Sequence, residues 1–68
     1  MAKWIFILKL LGTDHETGEI DWYTAVYQPG LDSETCIVMV VDTYITLTEA
    51  RIRHDVYCKE MPKDKEKE

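Results

Sequence analysis

Cys36, His54 and Cys58 are the side chains best suited to soft-metal or nucleophilic chemistry, and the carboxylates of Asp14, Glu16, Glu19 and Asp21 are the ones suited to a hard cation. Neither set completes a site. An EF-hand-like reading of Asp14-His-Glu-Thr-Gly-Glu-Ile-Asp21 fails because Gly18 falls at the fifth position, where a ligand is required. His54 and Cys58 are four residues apart and would share one face of a helix, so two ligands converge there. A third is missing. If the helix folds back along a strand holding Cys36, the chain from residue 47 to Cys58 covers ~17 Å, while the strand back to Cys36 covers ~36 Å. That separation also excludes a Cys36–Cys58 disulfide, whose α-carbons must lie within about 7 Å.

Catalysis finds no constellation either. Ser33 is the only serine and lies in a polar connection. The Cys58–His54 pair lacks an orienting third group, and Gly12, Gly18 and Gly30 are too scattered to cradle a phosphate. No enzyme activity, metal or cofactor is implied.

Charge is more informative. The 68-residue chain carries a net charge of −5. Between Lys9 and Arg51 there is no Lys or Arg, yet the span holds eight carboxylates: Asp14, Glu16, Glu19, Asp21, Asp32, Glu34, Asp42 and Glu49. Nucleic acid is therefore excluded as a partner, because its binding relies on neutralising phosphates. A basic protein surface is the natural complement, with Asp14, Glu16, Glu19, Asp21, Asp32 and Glu34 as the contacting residues. The competing reading makes these residues ordinary solubilising loops.

The elements that would position these groups follow from pattern. Residues 3–11 are apolar on both parities, the glycine-containing turn 12–19 follows, and residues 20–28 resume β-type residues, so the segment reads as a hairpin. Pro29-Gly30 ends it. Cys36-Ile-Val-Met-Val-Val41 is a continuous apolar run of strand length. Thr46 and Glu49 have the spacing of a capping box and predict a helix over about 47–60, closed by Pro62. The same segment alternates at Ala50, Ile52, His54, Val56 and Cys58, so a fourth strand is the competing reading. The expected architecture is α+β: a three-stranded antiparallel-type sheet in β-β-β-α order with one C-terminal helix packed on one face. Residues 1–61 form one domain and 62–68 a charged, flexible tail.

The junction Val41-Asp-Thr-Tyr-Ile-Thr-Leu-Thr-Glu-Ala-Arg-Ile52 resembles one in small uncharacterised domains of phages and mobile elements, where a hairpin and a strand run into a Thr-Glu-Ala helix. The resemblance spans a dozen residues, implies a phage or accessory protein, and carries over no functional residue.

One helix covers one sheet face. The other is then expected to expose Ile5, Ile7, Tyr23, Tyr27, Val38 and Val40, a patch of the kind that marks an interface. The function expected is a small acidic, non-enzymatic protein-binding module, such as a phage-type inhibitor of a host enzyme or defence complex, that self-associates through its sheet. The alternatives are an assembly subunit forming a symmetric homo-oligomer and a metal- or ligand-binding regulator using His54 and Cys58. With no targeting or membrane-spanning signal, a cytoplasmic location is expected.

Overall fold

A computed structural model describes residues 2–62; the expected tail, apart from Pro62, lies outside the described residues. Four elements follow in order: β1 (Trp4–Thr13), β2 (Ile20–Leu31), α1 (Ser33–Glu49) and β3 (His54–Glu60). The strands form an antiparallel sheet in the order β2-β1-β3, with α1 packed against β1 and β3. The expected α+β class, three-stranded sheet and single helix are present. The order is β-β-α-β, however, and the helix precedes the last strand.

The reversal has a local cause. The Asp32 carboxylate accepts the Thr35 backbone amide at 2.8 Å and so caps a helix starting at Ser33. The apolar run 36–41 then continues at helical spacing: Cys36, Met39, Val40, Thr43 and Leu47 face the sheet, three and four residues apart. Thr46 and Glu49 belong to the last turn of this helix and do not open a new one. The chain leaves α1 through a Schellman arrangement, with the amide of Ile52 donating to the Leu47 carbonyl at 2.9 Å and that of Arg51 to Thr48 at 3.1 Å. Arg51 sits at φ 61°, the left-handed position usually held by glycine. Residues 54–60 form a strand, and the alternation of His54, Val56 and Cys58 marks its inner face.

The core lies between β1 and α1. Phe6, Leu8 and Cys36 are buried, with Trp4, Leu10, Val56, Cys58 and Leu47 packed around them. Cys36 and Cys58 are disulfide-bonded, their α-carbons 6.2 Å apart. The expected separation of these residues is thus overturned, because it laid Cys36 on a strand and Cys58 on a helix. With the roles exchanged, Cys36 in the first turn of α1 faces the sheet directly over Cys58.

Two bulges interrupt β2. Leu8 pairs with Val26 and Lys9 with Thr24, which leaves Ala25 unpaired. Trp4 pairs with Leu31 and Phe6 with Gln28, so the strand passes through Pro29-Gly30 and does not stop there; Gly30 supplies the required φ of 81°. The Ala25 bulge shifts the side-chain parity. Tyr27 lies in the row of Ile7, whereas Tyr23 pairs with Leu10 on the helix side and places its ring against Gly12.

Candidate functional site

The six apolar residues expected to form one open patch do not share a surface. Ile5 and Ile7 are buried, although they point away from the helix. They lie on the central strand, where Ile7 is flanked by Tyr27 and Tyr57 and Ile5 by Lys59, close enough across the strands to shield them. Tyr23 and Tyr27 fall on opposite faces because of the Ala25 bulge. Val38 and Val40 are helical: Val38 is exposed and Val40 packs on the core.

The surplus apolar surface is real but lies elsewhere. Ile37, Val38, Val41 and Ile45 form a stripe along the outer side of α1, each 48–60% exposed. The helix rests on β1 and β3 and leaves β2 beside it as an uncovered ledge, every residue of which except Leu31 is exposed. Among the described residues no third layer covers this side, since the thinnest Cα dimension is 10 Å, about one helix-on-sheet spacing. Neither β2 nor α1 contains a Lys or Arg. Their combined surface is apolar and acidic.

The expected acidic contacts divide into two groups. Asp14 and Asp32 have structural tasks. Asp14 Oδ1 accepts the Glu16 amide at 2.8 Å and holds the hairpin turn. Hydrogen bonds from Thr35, assisted by the charge of Lys3, hold the Asp32 carboxyl below the usual carboxylate range. Glu34, in the first turn of α1, also sits favourably at the positive end of the helix dipole. Glu16 and Glu19 are exposed in the turn, and Asp21, the second residue of β2, accepts the Trp22 amide at 2.8 Å.

The His54–Cys58 ligand pair is also altered. Cys58 is held in the disulfide, and His54 opens β3, its Nδ1 2.8 Å from the Ile52 carbonyl. Among the described residues no three His, Cys, Asp or Glu side chains converge as a metal site. None of the helices there is long and apolar enough to cross a membrane.

One concavity escaped the reading of the sequence. At the C-terminal end of α1 an open cavity of about 480 Å³ is lined by Trp22, Tyr44, Thr48, Arg51, Arg53 and His54, with Ile52 between the two arginines. The Tyr44 and His54 rings meet edge to face at 5.4 Å and 75°. The clue in the sequence was Arg51-Ile-Arg53, the first Lys or Arg residues after Lys9, although nothing local places Trp22 beside them. In comparisons with protein-family models, curated proteins and solved structures, the chain matches none.

Proposed function

We propose that this chain is a small non-enzymatic protein-binding module whose docking surface is the outer side of α1 together with the ledge of β2. The observation that carries this reading is the stripe Ile37, Val38, Val41 and Ile45, left half-exposed on a helix that is apolar nearly all round. Helices of that kind are ordinarily enclosed. Exposed apolar side chains gathered on one surface are the usual mark of an interface.

Charge complementarity selects the occupant. Asp42 lies beside the stripe, Glu49 lies one turn beyond Ile45, and no Lys or Arg occurs from Leu10 to Ala50. A basic, apolar segment of a partner protein neutralises this surface, whereas a second copy brings like charges to it. A phage-type inhibitor of a host enzyme or defence complex is one form of such a module.

The test uses a defined amphipathic Leu/Lys peptide and its Leu/Glu counterpart. The expected result is saturable binding of the basic peptide alone, weakened by salt and lost in the Val38→Lys/Val41→Lys double variant. Both positions are exposed, so stability should change by no more than about 0.5 kcal/mol for each. Equal binding of both peptides, or none of either, overturns the reading.

A second reading rests on a different observation. β2 is a free edge of 12 residues, and Trp22–Gln28 within it carries no charge. Such an edge can pair with a second copy and build a homo-oligomer, although its bulges and Pro29 oppose this. Sedimentation at micromolar concentration separates the two, since the first reading requires a monomer. The Cys36–Cys58 bond supports action in an oxidising compartment over the expected cytoplasm, where thiols are kept reduced.

A further inference from the structure

We propose that the cavity at the end of α1 binds a small planar aromatic anion. Its ring would lie against Trp22 and Tyr44, and its carboxylate or phosphate would meet Arg51 and Arg53. The cavity, at about 480 Å³, falls within the range that small ligands occupy. Trp22 is 45% and Tyr44 56% exposed, and both line the cavity. Tyr44 is braced by its edge-to-face contact with His54. The His54 ring is itself anchored through Nδ1 on the Ile52 carbonyl. That bond assigns the proton to Nδ1 in the neutral ring and leaves Nε2 as an acceptor.

The charge is the less expected part. In a chain of net charge −5, with no Lys or Arg in β2 or α1, both arginines of the α1–β3 turn line one cavity. Arginines at this place also complement the negative end of the α1 dipole. That end amounts to roughly half an elementary charge, so two guanidinium groups leave more than one positive charge uncompensated by it. Guanidinium is also the side chain that best matches a carboxylate or phosphate in a two-pronged bond.

Arg51 adds an independent observation. It holds φ 61°, a conformation that glycine adopts without penalty and other residues rarely adopt. Non-glycine residues held in such conformations cluster at ligand-binding sites.

The test is two-dimensional 15N NMR of the oxidised wild-type protein. The probes are adenosine 5′-monophosphate and 2-naphthoate, with adenosine, 2-naphthol and inorganic phosphate as counterparts lacking either the anion or the ring. The Trp22 indole signal, assigned with Trp22→Phe, should move saturably with at least one probe while that of Trp4 stays in place. Whichever probe binds tells a phosphate ligand from a carboxylate one. The counterparts should bind at least about tenfold more weakly, as expected for loss of a charge-assisted bond. Arg51→Gly and Arg53→Gln should each weaken binding about tenfold. Arg51→Gly relieves the backbone, so weaker binding from a more stable protein separates contact with the ligand from a structural role. No saturable shift with either probe, unchanged affinity in both arginine variants, or phosphate binding as tightly as the nucleotide overturns the proposal.

Discussion

Reduction of the Cys36–Cys58 bond should remove most of the stability of this domain. The two cysteines are 22 residues apart, and the bond joins the first turn of α1 to the middle of β3. Closing a loop of that length in the unfolded chain gives an entropic stabilisation of roughly 3 kcal/mol at 25 °C. A chain of this size has little to set against such a loss, since small cores rarely supply more than about 3–5 kcal/mol. The geometry adds to the effect: Cys36 is fully buried, and α1 packs chiefly on β1 and β3. Urea unfolding followed by far-ultraviolet circular dichroism, with and without a phosphine reductant, reads this directly. With a slope of about 1 kcal/mol per molar urea, the midpoint should fall by about 3 M. The Cys36→Ala/Cys58→Ala variant should behave like the reduced protein and be insensitive to reductant. Midpoints within about 0.5 M of each other would mean that the bond adds nothing to the packing of α1 on the sheet.

Three further outcomes follow from particular residues. Arg51→Gly should raise stability by about 0.5–1 kcal/mol, because glycine takes the left-handed C-terminal position without steric cost; a fall in urea midpoint contradicts this. Gly12→Ala places a methyl 2.8 Å from Tyr23 Cε1. It should be destabilising in the wild type and neutral or stabilising in Tyr23→Ala, with a coupling of about 1 kcal/mol in a double-mutant cycle. For Asp32, a carboxyl held below the ordinary value of 3.8 stabilises the fold above that pH and loses the effect as pH falls through the lower folded-state value. Asp32→Asn keeps an acceptor for the Thr35 amide, so comparing urea midpoints at about pH 6 and about pH 2 should show a smaller acid loss than in wild type.

Much of this architecture can be read in particular residues. The hairpin was legible because a turn with Gly12, Gly18 and Asp14 separates two segments rich in β-branched and aromatic residues. The helix was misplaced because Cys36–Val41 suits a buried strand and a core helix equally, and periodicity over six residues does not separate them. Asp32, read as an acidic contact residue, is the capping residue that decides the matter. Thr46 and Glu49 have capping-box spacing, but a helix already under way at Thr46 has no free amides there to cap. The competing strand reading of residues 50–58 rested on alternation, and His54, Val56 and Cys58 do alternate in β3.

The candidate surfaces were less legible. A single unpaired residue, Ala25, moves Tyr23 and Tyr27 to opposite faces, and no local pattern announces a bulge there. Pairing with Trp22 and closure of the α1–β3 turn bring distant residues together around Arg51 and Arg53, and no motif spans them.

The sequence by itself determined the surplus of apolar side chains, the acidic bias and the lack of Lys and Arg from Leu10 to Ala50. These are properties of composition, and no arrangement of 68 residues removes them. Only the tertiary structure decided where they lie. By flanking β1 with β2 and β3 it buried Ile5 and Ile7, and by seating α1 over β1 and β3 it left β2 and the outer side of α1 open and gathered the two arginines at one aromatic cavity. Pairing register and disulfide geometry depend on contacts between residues far apart in the chain, which local spacing does not encode.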